Sequence, residues 1–99
     1  MIKKIVKVGA EWCAPCKAFD PVFDQVAQMP EFVGIEFSKV DAEKDEDFVD
    51  RYNIRHLPMV LALDEQGNAK YQFVGAVGIN ILREKLLEWK ALEEIERTI

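Results

Sequence analysis

Two cysteines, Cys13 and Cys16, are the residues of this sequence whose type and spacing most directly indicate chemistry. They are the only 2 cysteines in a chain of 99 residues, and they lie within one short segment. A disulfide between them would close a very small loop and remove little entropy from the unfolded chain, so a purely structural cross-link explains them poorly. The spacing instead indicates redox chemistry or metal binding.

Redox chemistry needs a thiolate that a partner can reach and a second thiol that resolves the mixed disulfide. Pro15 is typical of the first turn of a helix, where its missing N–H removes no hydrogen bond, so a helix is predicted from about Ala14. Cys13 would then lie at the helix N-terminus, exposed, where free amides and the dipole stabilise a negative charge. Cys16 would lie one turn further in and be less exposed.

Metal binding is the alternative use of the cysteines. A zinc site needs about four ligands, and beyond the cysteines only His56 is a strong donor, with a carboxylate to complete the set. Because the ligand set is short, redox chemistry is favoured, and neither a metal nor a cofactor is expected. His56 itself either faces the active site, where an imidazolium would favour a thiolate, or is an exposed loop residue.

The elements that position the cysteines follow from the apolar pattern. Ile2 to Ala10 is short and rich in Ile and Val, which is typical of a strand buried on both faces, and it leads into the cysteines. The helix that follows should end near Met29-Pro30, with a kink at Pro21. Val33 to Val40 is a second predicted strand.

The second half of the chain adds a helix, a hairpin and a longer helix. The acidic stretch from Asp41 to Asp50 suits the start of a helix. Met59 to Leu63 and Ala69 to Val74 flank a short gap ending in glycine, which is typical of a β-hairpin. The final helix is predicted from about Ile79 to Arg97. Its apolar stripe comprises Ile79, Leu82, Leu86 and Trp89 and extends at most to Leu92.

Composition limits the domain organisation and the partners. With 99 residues and no linker or repeat, residues 1–99 are expected to form one domain. Lys and Arg total 13 against 18 for Asp and Glu, a formal net charge of -5, which should repel phosphate, so no nucleic acid partner is expected. Lys7 and Glu11 interrupt the apolar N-terminal run, so no export signal and no membrane partner are expected either. The corresponding expectation is a cytoplasmic monomer.

The motif around the cysteines resembles the thioredoxin family, and the resemblance covers nearly the whole chain. The matching segments, in order, are Trp12-Cys13-Ala14-Pro15-Cys16-Lys17, Pro21, Asp41, Tyr52-Asn53-Ile54-Arg55 before Pro58, and Phe73-Val74-Gly75-Ala76. The resemblance implies an α/β protein with a minimal thioredoxin fold. This is a four-stranded mixed sheet in order 2-1-3-4 with helices on both faces, lacking the usual first strand and helix of the family.

The same resemblance implies an activity. A protein of this family reduces protein disulfides: Cys13 attacks the substrate, and Cys16 then resolves the mixed disulfide. The implied partners are disulfide-containing proteins and a reductase of the thioredoxin-reductase type. The alternative from another class is a non-catalytic binding module that holds a partner in the same groove, with the cysteines redox-silent or metal-bound.

The resemblance also assigns residues to an apolar groove around Cys13. Leu57-Pro58 is similar to the cis-proline loop of the family, which offers its backbone to an extended substrate, so the peptide bond before Pro58 is predicted to be cis. A bound peptide would pair there as an extra strand. The residues expected to form the groove are Trp12, Ala14, Pro15, Leu57, Pro58, Gly75 and Ala76.

Three residues, Lys7, Lys17 and His56, are expected to modulate the cysteines. Lys7 occupies the position of a buried acid of the family, and Phe37 occupies that of an accompanying lysine, so the charge pair of the family is absent. Lys7 either lies beneath the cysteines and stabilises the thiolate of Cys16, or packs its stem on the sheet and places its head in water.

Overall fold

The computed structural model describes residues 1–98, which form four strands, three α-helices and one short 3-10 helix. The strands are β1 (Ile2–Gly9), β2 (Glu36–Asp41), β3 (Met59–Asp64) and β4 (Ala69–Val74). The α-helices are α1 (Ala14–Ala27), α2 (Glu46–Arg51) and α3 (Ile79–Thr98), and the 3-10 helix is Pro30–Phe32. The predicted order of strands and α-helices is therefore confirmed.

The strands form one mixed sheet in the order β2-β1-β3-β4. β1 and β2 are parallel, whereas β1 with β3 and β3 with β4 are antiparallel. Near the end of β1, Val8 pairs with Val40 of β2 on one side and with Met59 of β3 on the other. The predicted sheet is confirmed, and its interior strand β1 delivers the chain to the cysteines.

Helices cover both faces of this sheet. Side chains alternate between the two faces along each strand, so each face has its own apolar cluster to bury. On one face Ile5 and Val60 are buried in a core with residues of α1 and α3. On the other face Val6 and Leu61 are buried, and Phe48 of α2 packs against them. The predicted two-sided cover is therefore present, with the larger core under α1 and α3.

One predicted boundary is wrong. β2 begins at Glu36 rather than Val33, because Val33 is 84% exposed after the 3-10 helix and Gly34 has a left-handed φ of 91°. The apolar stripe of α3 ends at Trp89, within its predicted limit, because Leu92 is exposed. A helix returns to the same face after three or four residues, so the position that follows Trp89 inward is Glu93, and that residue is buried.

The hairpin between β3 and β4 is held by Asp64. Its Oδ1 accepts the backbone N–H groups of Gln66 and Asn68, each at 2.9 Å. The hydrogen bond from the backbone of Asn68 is the main cause that holds the pKa of the Asp64 carboxyl below its ordinary value of 3.8. The charged carboxylate, rather than the neutral acid, is thus the form that suits the folded turn.

Asp64→Asn keeps the shape of this side chain and removes its charge. A folded-state pKa that is lowered contributes stability above the unfolded value, and this contribution is lost as pH falls through the folded value. The variant should therefore melt a few degrees lower at neutral pH, and the difference should vanish well below pH 3.8. Thermal melts across pH test this, with Glu84→Gln on the exposed side of α3 as control. A deficit that does not change with pH would contradict it.

Candidate active site

Cys13 and Cys16 are joined by a disulfide at the start of α1, with their Cα atoms 5.3 Å apart. Cys13 is the N-cap residue of the helix, and its Sγ accepts the backbone N–H of Cys16 at 3.3 Å. Pro15 lies in the first turn. The predicted position of Cys13 at a helix N-terminus is confirmed. After reduction, the same amide and helix terminus would favour a thiolate at this sulfur.

The predicted exposure of Cys13 is wrong for the disulfide form. Cys13 is 5% exposed, little more than Cys16 at 2%. The reason is that the disulfide holds the Cys13 sulfur beside Cys16, and Ala10 and Leu57 are packed in the same apolar cluster. Access is instead marked by the neighbours of the pair: Trp12 is 70% exposed, and Ala14 and Pro15 are also exposed.

The loop before β3 lies against the disulfide. Leu57 packs on the cysteines, and the Leu57-Pro58 peptide bond is cis. The carbonyl oxygen of Pro58 accepts the N–H of Gly75 at 2.8 Å. Gly75 has a φ of 113°, a conformation that favours glycine, and Ala76 follows it at the surface. The fold therefore brings Leu57, Pro58, Gly75 and Ala76 to the end of the sheet that carries the cysteines.

Lys17 of the motif and His56 of the loop lie in different surroundings. Lys17 is exposed and lines a cavity together with Cys16. His56 is exposed in the loop, and its neighbour Leu57 is the residue that packs against the disulfide. Within residues 1–98 no group of three His, Cys, Asp or Glu side chains lies close enough to hold a metal ion. The described helices include none that is long and apolar enough to cross a membrane.

Lys7 is buried and paired with an acid that the sequence analysis missed. Its Nζ donates to Oδ1 of Asp20 on α1. The head of Lys7 is therefore held at Asp20 and is not exposed to bulk water, so that interpretation is wrong. Lys39 of β2 adds a second cation, 3.7 Å from Oδ1 of Asp20 and 3.0 Å from Oδ1 of Asp24. The available signal was spacing: Asp20 lies four residues after Cys16, on the same side of the helix.

A cavity of about 300 Å³ lies behind Cys16. Lys7, Gly9 and Asp20 line it together with Cys16. A Cβ atom at Gly9 would lie 3.3 Å from Sγ of Cys16 and 3.5 Å from Nζ of Lys7. Because Gly9 has no side chain, the Cys16 sulfur and the Lys7 ammonium group border the same small space beside its Cα atom.

Comparison with known proteins gives the family of this chain. The family model described as Thioredoxin matches residues 2–88. The chain belongs to the thioredoxin family. Thioredoxin C-2 of Corynebacterium nephridii is 40% identical over 73 residues, which cover 73% of this chain and 65% of that protein. The thioredoxin of Borreliella burgdorferi is 31% identical over 84 residues, which cover 85% of this chain and 66% of that protein. The matched part of each of these two thioredoxins is thus just under two thirds of its length.

Thioredoxin structures also share the fold. The crystal structure of the thioredoxin of Malassezia sympodialis superposes with a TM-score of 0.77 at 26% identity, over 86% of this chain and 72% of that one. The thioredoxin of Fasciola hepatica gives a TM-score of 0.75 at 28% identity, over 86% and 78%. The predicted thioredoxin fold is confirmed, and the chain is a thioredoxin-family protein in sequence and in architecture.

Proposed function

We propose that this chain is a thiol-disulfide oxidoreductase that reduces protein disulfides through Cys13 and Cys16. The observation that carries the proposal is the disulfide at the N-terminus of α1, with the cis-proline loop packed against it. Membership of the thioredoxin family supports the same activity. A structural cross-link would not need the exposed apolar Trp12 beside it.

The reaction takes place in two exchanges. In the reduced chain the Cys13 thiolate attacks one sulfur of a substrate disulfide, and the other substrate sulfur leaves with the electron pair and takes up a proton. Cys16, as a thiolate, then attacks the Cys13 sulfur, and the second substrate sulfur leaves in the same way. The substrate gains two electrons, and the Cys13-Cys16 disulfide seen in the structure is the product.

The substrate lies in a groove between the motif and the two loops. Trp12, Ala14 and Pro15 form one wall, and the other is formed by Leu57, Pro58, Gly75 and Ala76. Pro58 has no N–H, and its carbonyl oxygen already accepts the Gly75 amide. Backbone pairing with an extended substrate peptide therefore falls to Leu57.

The proposal extends to the partners of the protein and to its compartment. The substrates are proteins that contain disulfides, and a reductase of the thioredoxin-reductase type restores the dithiol. The chain acts as a single-domain monomer. Its compartment is the cytoplasm, because a reducing compartment keeps such a dithiol in its active form. Lys17, a cation at the cavity, and His56, beside Leu57, modulate the cysteines.

Trapping the first exchange tests the proposal. Cys16→Ser removes the resolving thiol, so a disulfide-containing protein such as insulin should remain covalently bound through Cys13. Non-reducing electrophoresis and peptide mass spectrometry would detect this adduct, and dithiothreitol should release it. Cys13→Ser is the matched control and should form little adduct, because it lacks the sulfur at the helix N-cap that makes the first attack. No adduct with Cys16→Ser would contradict the proposal and favour the binding module.

A further inference from the structure

Resolution of the mixed disulfide requires a proton to leave Cys16 in a place that water scarcely reaches. Cys16 is buried beneath the start of α1, among Ala10, Cys13 and Leu57. A thiol in apolar surroundings holds its proton more firmly than an exposed one, and only the thiolate attacks a disulfide. The side of Cys16 that opens on polar groups is the cavity shared with Gly9, Lys7 and Asp20.

Asp20 connects this cavity to solvent. Its carboxylate accepts from the buried Nζ of Lys7, and the Lys7 ammonium group faces the Cys16 sulfur across Gly9. The side chain of Asp20 is 40% exposed, whereas that of Lys7 is buried. A cavity of about 300 Å³ is large enough for water to connect the groups that line it. A proton that reaches Asp20 can therefore pass on to bulk water.

We propose that Asp20 accepts the proton of Cys16 when the mixed disulfide is resolved, and that Lys7 is a positioning residue that holds the Asp20 carboxylate at the cavity. This inference rests on the proposed disulfide reductase function. Asp20 takes the proton through water in the cavity, and the Lys7 ammonium group stabilises the Cys16 thiolate that remains.

The resolving step changes bonds at Cys16, at Asp20 and between Cys13 and the substrate. The Cys16 S–H bond breaks, and the proton moves to the Asp20 carboxylate. The Cys16 thiolate attacks the Cys13 sulfur, the new bond is Cys13-Cys16, and the bond from Cys13 to the substrate breaks. The substrate sulfur leaves with the electron pair and is protonated, while Asp20 returns its proton to solvent.

The other charged groups near the cavity have different partners or lie exposed at its rim. Asp24, on the same helix, pairs with Lys39 at 3.0 Å. Asp41 uses Oδ1 to accept the N–H of Glu43 at 2.9 Å. Two further side chains line the rim and are exposed: Glu11 and Lys17. Among these acids, Asp20 is the one bonded to the buried ammonium group that faces Cys16.

The two exchanges can be timed separately with 4,4′-dithiodipyridine. Reduced chain is loaded at about pH 4, where a helix-terminal thiolate still reacts, and the first thiopyridone released reports attack by Cys13. A jump to neutral pH then starts attack by Cys16, which releases the second thiopyridone. Absorbance in a stopped-flow instrument gives both rates.

Asp20→Asn should slow the second release on the order of 10- to 100-fold at neutral pH and leave the first within about 2-fold. The deficit should shrink towards alkaline pH, because hydroxide then removes the proton from Cys16. Asp24→Asn, a matched control that also faces Lys39, should change neither rate. A normal second release in Asp20→Asn, an equal loss in Asp24→Asn, or a deficit that persists unchanged at alkaline pH would overturn the inference.

Two further variants separate chemistry from folding. Asp20→Asn leaves the buried Lys7 without its counter-charge and can destabilise the chain, whereas Lys7→Met with Asp20→Asn removes both charges. This double variant should show a pH-dependent second release at least as slow as that of Asp20→Asn, and a wild-type rate would overturn the inference. Lys7→Met alone should slow the second release less than Asp20→Asn, and an unchanged rate would refute the positioning role. Failure of the first release in the wild-type chain would instead refute the proposed function.

Discussion

Cys13→Ser should abolish catalysed disulfide reduction, so that insulin is reduced only at the rate of dithiothreitol alone. The serine hydroxyl group is not ionised at neutral pH and cannot form the mixed disulfide. The amide of Cys16 would still be present at the helix N-terminus, but with no sulfur to act on. The measurement is the turbidity of precipitating insulin B chain against time.

A serine elsewhere on α1 provides the control. Ala18→Ser introduces the same side chain at an exposed position of the helix and should reduce insulin at the wild-type rate. If Cys13→Ser and the wild-type chain gave equal rates, catalysis by this sulfur would be rejected. The groove would then have to serve binding alone.

Leu82→Ala should cost about 2–5 kcal/mol of the free energy of unfolding. Leu82 of α3 is 0% exposed and lies in the core that α1, α3 and the sheet share. Truncation removes apolar contacts and leaves a cavity in a region that packs α3 against α1, the helix that carries Cys16 and Asp20. Urea denaturation of the oxidised form would measure the loss.

Ile81 provides the control, because it lies next to Leu82 on the same helix and has a side chain of similar size. Ile81 is 51% exposed, so Ile81→Ala should cost less than about 1 kcal/mol. Equal losses for the two variants would contradict the packing of α3 described here. A large loss for Leu82→Ala alone would confirm that α3 is held to the rest of the protein through this core.

The fold could be predicted to a large extent from local patterns. Ile2 to Gly9 is a short Ile- and Val-rich run, and a strand buried on both faces needs such a run. The predicted start of β2 was wrong because the 3-10 helix places Phe32 in the core and leaves Val33 exposed. The sequence alone does not distinguish an exposed valine from a strand valine, since that difference depends on tertiary packing.

The site was predictable where it is local and missed where it depends on packing. The position of Cys13 follows from the residues beside it, because a helix start is encoded within one turn. Lys7 and Asp20 are separated by 13 positions, and they pair only because α1 packs beside β1. The low exposure of Cys13 likewise depends on Leu57, a residue distant in sequence.

Alkylation of the reduced chain is the most direct test of the central claim, that the helix N-terminus makes Cys13 a reactive thiolate. The rate of iodoacetamide modification at each cysteine, followed by mass spectrometry at and below neutral pH, would be compared with that of an unstructured cysteine peptide. Cys13 should react several-fold faster than the peptide, on the order of 10-fold at the lower pH, and Cys16 should remain largely unmodified. A Cys13 that reacts no faster than the peptide would contradict the account.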